Sequence, residues 1–112
     1  MGKVLQIRVI CQTWNVDLVE KMWPKVAGLA FSVPTKFAKC GVLELIQGLA
    51  EGLAYLDWSV ERQERMGPKI KHLEELKRNL ERALGDWQVQ EANRLTEQIE
   101  IALDELEDNF IA

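Results

Sequence analysis

The chain has 112 residues and a formal net charge of −4, from 14 Lys plus Arg against 18 Asp plus Glu. That length fits a single domain with one modest core, burying roughly 60% or slightly more of the surface its unfolded chain would expose. Apolar residues recur along the whole chain, which argues against disorder, and the mild acidity argues against an electrostatic nucleic-acid binder.

Residues 3–14 open with Leu5, Ile7, Val9 and Cys11 alternating with Gln6, Arg8 and Ile10. The density of β-branched residues favours a short strand with one buried face. A helix is the rival reading, because Val4, Ile7 and Cys11 are also helically spaced. The start carries no small-residue cleavage site after its apolar run, so no signal peptide is expected. A lone strand would need a partner, which a second copy of the chain could supply.

A helix is predicted from about Val16, capped by Asn15 or Asp17, with Val19, Met22, Val26, Leu29 and Val33 on one face. Pro24 lacks a donor and disfavours helical geometry at Trp23, so a kink or two short helices meeting there are expected. The stretch from Pro34 to Met66 is read as a long central helix with Thr35 as its N-cap. Val42, Leu45, Ile46, Leu49, Leu53, Leu56 and Val60 recur at threes and fours and define its core face. Beside them runs a stripe of small residues, Gly41, Gly48, Gly52 and Ser59, where another backbone is expected to approach.

Gly67-Pro68 is predicted to end the central helix and begin a C-terminal antiparallel αα-hairpin over 68–108. Its first helix would bury Ile70, Leu73, Leu76, Leu80 and Leu84, and its second Val89, Ala92, Leu95, Ile99, Leu103 and Leu106. Gly85 is expected as C-cap of one helix and Asp86 as N-cap of the next, with Trp87 stapling the loop. Between Glu61 and Arg82 stand seven bases and five acids, against one base and eight acids between Asp86 and Asp108. The two helices are therefore expected to attract one another across the hairpin, weakly. The fold class is all-α or nearly so: a kinked N-terminal helix, a long central helix and the hairpin, preceded by the strand-like segment.

Candidate chemistry is sparse. Cys11 and Cys40 form no CxxC, and His72 is the single histidine, so free thiols and no metal or cofactor are expected. The most apolar window contains Glu44, Gln47 and Glu51, so no membrane span is predicted, and the chain is read as cytoplasmic. The far face of the central helix gathers Phe37, Cys40, Glu44, Gln47, Glu51, Tyr55, Trp58 and Arg62. Two carboxylates among aromatics could form a ligand or cation site, but aromatic anchors of a subunit interface fit the same pattern. The acidic run Asp104-Glu105-Leu106-Glu107-Asp108 could meet a basic partner or a cation, or form a solvated helix end.

Arg65 and His72, with six residues between them, resemble the Arg-x4–6-His motif of HEPN-type ribonucleases, small helical dimers whose pair cleaves RNA at the dimer interface. The resemblance covers these two positions. Met66 follows the arginine where that family often has Asn or Asp, and Gly67-Pro68 is expected to interrupt the helix between them.

The function expected is a non-catalytic, homo-oligomeric interaction module, a dimer first, without nucleic acid or membrane. Phe37, Gly48, Gly52, Tyr55 and Trp58, with Trp14 and Trp23, are its expected interface. The rival is a small helical hydrolase or nuclease acting at a subunit interface through Glu44, Glu51, Arg65 or His72.

Overall fold

A computed structural model describes residues 11, 13, 16–31, 41–55 and 57–110 of the protein. These residues form five helices: α1 (Asp17–Met22), α2 (Pro24–Ala30), α3 (Val42–Tyr55), α4 (Val60–Gly85) and α5 (Val89–Asp108). The all-α bundle is therefore as expected. The strand reading of 3–14 falls outside the described residues, save Cys11 and Thr13, which belong to no regular element. The expected Thr35 cap also falls outside them.

The N-terminal helix is two short helices meeting at Trp23, whose φ of −131° and ψ of 62° interrupt the helical run. Pro24 takes the first position of α2, where a missing N–H costs nothing. Val19 and Val26 are buried, but Met22 at the broken end is half-exposed. Pro24 supplies no cap for α2, and the cap comes from α5. Glu107 Oε1 accepts from the backbone N–H groups of Lys25 and Val26, at 3.0 Å each. Trp23 Nε1 donates to Asp104 Oδ1 at 2.8 Å. The acids near the end of α5 oppose its own dipole, and Glu107 complements that of α2.

The long central helix requires correction. It ends at Tyr55, and the chain re-enters a helix at Val60. Ser59 makes the new start, its φ of −58° and ψ of 151° being extended and its Oγ accepting from Arg62 N at 3.2 Å. Gln63 Nε2 donates to the Trp58 carbonyl at 2.9 Å and fastens the turn. Trp58 folds back over Gly52, where an added Cβ would collide with its ring. Leu45, Ile46 and Leu49 are fully buried as predicted, whereas Val60, in the exposed first turn of α4, is 69% exposed.

Gly67-Pro68 does not end a helix: α4 runs through it without a break. An interior proline costs about 3 kcal/mol. Met66 and Ile70 are buried on either side and hold the axis, and Glu64, whose carbonyl loses its donor, sits on an exposed turn open to water. The hairpin is thus α4 and α5, beginning at Val60 rather than Pro68. It is held by Ile70, Leu73, Leu80, Leu95, Ile99 and Leu103. Ion pairs play a local part. Lys77–Glu81 at 3.7 Å, Arg78–Glu74 at 3.9 Å and Glu91–Arg94 each join successive turns of one helix. α3 packs on α4 and α2, and α2 reaches α5.

Candidate functional site

Four of the seven expected interface residues serve the chain's own core. Gly48 lies against the end of α2, where an added Cβ would stand 2.5 Å from the Ala30 carbonyl oxygen. The expected close backbone approach therefore exists, but within one chain. Gly52 receives Trp58, which is 7% exposed, and Trp23 is 2% exposed. Tyr55 is 85% exposed and free to meet a partner. Trp14 and Phe37 lie outside the described residues.

The catalytic candidates sit on two helices. Glu44 and Glu51 are half-buried on α3, and Gln47 Nε2 donates to Glu51 Oε1 at 3.3 Å. Arg65 and His72 are exposed on α4, and the helix joining them is continuous. Neither the groove between α3 and α4 nor the cleft described below is lined by any of these four residues. No group of three or more His, Cys, Asp or Glu that could hold a metal occurs among the described residues. No helix among them is long and apolar enough to cross a membrane.

Two features were missed by sequence reasoning. The first is the α4–α5 loop. Gln88 N donates to the Ala83 carbonyl at 2.8 Å and Trp87 N to that of Leu84 at 3.2 Å. This pair of bonds is a Schellman cap, and its left-handed residue is Trp87, at φ 59°, not Gly85. Gly85 is the last residue of α4, and the N-cap of α5 is Gln88 rather than Asp86. Trp87 is 57% exposed and Val89, in the first turn of α5, is 62% exposed. The glycine two residues early concealed the arrangement. The guanidinium of Arg94 hydrogen-bonds Glu91 and holds its carboxyl below the usual range, and Glu91 holds Arg94 above its own.

The second is a cleft of about 350 Å³ where α1, the start of α3 and the hairpin meet. Val19, Trp23, Leu43, Leu80 and Ile99 provide apolar wall. Cys11 and Thr13 close one side, and Thr13 Oγ1 accepts from Val42 N at 2.9 Å, capping α3. Burial pushes the Cys11 thiol up and keeps it neutral. Glu100 is the one charged residue among the described lining, and it is exposed. No local motif announces this cleft, because its walls come from residues 11 to 100.

At the other end of the hairpin the Arg62 guanidinium lies over two rings, 5.7 Å from the centroid of Trp58 and 5.8 Å from that of Phe110. It ties the end of α5 to the turn before α4.

No family model matches the chain, and neither a curated protein nor a solved structure matches it.

Proposed function

We propose that this chain is a non-catalytic helical module that assembles with copies of itself, a dimer first, through the α4–α5 loop. One observation carries the reading: Trp87 stands 57% exposed in a left-handed backbone conformation. That conformation costs a non-glycine residue roughly 1–2 kcal/mol, and the exposed part of its ring returns nothing to the isolated chain. Strain of this kind collects at contact and switch sites. Val89 extends the apolar surface beside it.

Self-association also requires that like surfaces tolerate one another. From Trp87 to Arg94 the only charges are Glu91 and Arg94, which pair. The rest of α5 is strongly acidic, so this is the stretch of the hairpin where two copies meet with least repulsion. Tyr55 is a further exposed anchor at the opposite end. The free Cys11 thiol agrees with a reducing, cytoplasmic setting.

Sedimentation velocity at micromolar concentration tests the reading. A dimer is expected for the parent, and Val89→Asp should return it to the monomer with unchanged helicity. A parent that sediments only at 12.9 kDa overturns it.

A ribonuclease-like reading has one observation in its favour, the unbroken helix that carries Arg65 and His72 on exposed positions. It requires RNA cleavage that His72→Ala abolishes, and intact single-stranded RNA after prolonged incubation removes it.

A further inference from the structure

The cleft between α1, α3 and the hairpin is separate from the loop that carries the proposed assembly. We propose that it binds a small apolar molecule with a cationic or strongly hydrogen-bond-donating head, the tail against Leu18, Met22 and Leu43 and the head at Glu100. Its volume of about 350 Å³ lies within the range of small-molecule sites, roughly 300–1,000 Å³. The composition fits as well, with an apolar wall and few polar groups. Val19, Leu80 and Ile99 are each exposed at 2% or less and form a fixed floor, while Leu18, Met22 and Leu43 offer the apolar surface a tail can reach.

The head group follows from charge. Glu100 is the single charge among the described lining residues, and no described cation pairs with it. Its neighbours along α5 add further negative potential, from Glu97 and Asp104. A carboxylate head would meet uncompensated repulsion there, and an ammonium head would meet attraction. The neutral Cys11 thiol adds no opposing charge at the inner end.

Titration calorimetry with decylamine, decanol and decanoate, each below its self-association concentration, tests the inference on the full chain. Decylamine should bind about tenfold more tightly than decanoate, with decanol between them. Glu100→Gln should erase the advantage of the amine over the alcohol and leave the alcohol unchanged. Leu43→Trp should fill the cleft and abolish binding of all three while circular dichroism stays helical. Should that variant fail to fold, the Glu100→Gln comparison decides alone. Absence of binding by all three, equal affinity for amine and carboxylate, or an amine preference that survives Glu100→Gln overturns the inference.

Discussion

At the N-terminal end of α4, Trp58 is 7% exposed and lies over Gly52, while at its C-terminal end Trp87 is 57% exposed. Both tryptophans stand within two or three residues of a helix end. Trp58 has a glycine to receive its ring, a Gln63 amide on its carbonyl, and the Arg62 guanidinium shared with Phe110. Trp87 has a cap built from its backbone and a ring left to solvent. The same residue type therefore works inward at one end and outward at the other. What decides is whether a neighbouring element offers a concavity.

The largest effect should come from emptying the inward end. Trp58→Ala should lower stability by about 3–5 kcal/mol, the range for a buried aromatic cut to alanine. Urea melts read it, and the tendency to assemble, corrected for stability, should not change. A loss below about 1 kcal/mol would mean that the turn is held by Ser59 and Gln63 alone.

Glu107→Gln is expected next. It removes a charged acceptor shared by the Lys25 and Val26 N–H groups, worth about 1.5–3 kcal/mol for bonds to a charged group and less here because Lys25 is exposed. Urea melts at neutral pH read it, and an unchanged midpoint would show that the α5 carboxylate does not cap α2.

Arg62→Gln should cost about 0.5–1 kcal/mol through its two ring contacts, and it should raise amide exchange near Phe110 before anywhere else in α5. Uniform exchange along α5 would show that the guanidinium is not the tie.

Trp87→Gly should change stability least and assembly most. Glycine relieves roughly 1–2 kcal/mol of left-handed strain and forfeits the partial burial of the ring, terms of opposite sign and similar size. Net stability should stay within about 1 kcal/mol of the parent, while the dimer is lost. A fall comparable to that of Trp58→Ala would place Trp87 in the fold and remove the contrast between the two ends.

Much of the bundle was legible from periodicity alone. Leu45, Ile46 and Leu49, Ile70 to Leu80 and Ala92 to Leu106 recur at helical spacing, and burial follows that spacing because a helix has only one face to offer a core. Pro24 likewise marks a true break, since a proline at a helix start meets no competing force. The punctuation elsewhere misled. Gly67-Pro68 reads as a stop, yet Met66 and Ile70 are gripped by the core on both sides and the helix continues. Asp57-Trp58-Ser59 reads as helix, yet the chain turns there because Gly52 lies one chain reversal away and accepts the ring.

The sequence by itself determined the local quantities: which faces are apolar, where a donor is missing, and which residues can cap. Tertiary structure alone decided which of those signals prevailed. An interior proline costs about 3 kcal/mol, and burying two large side chains such as Met66 and Ile70, at about 1.5–3 kcal/mol each, can outweigh it, but a one-dimensional pattern does not contain the neighbours that do the burying. The Glu107 cap on α2, the Ala30 carbonyl against Gly48 and the cleft walled from Cys11 to Glu100 all join residues far apart in the chain. Their free energy depends on distances that exist only once the helices have packed.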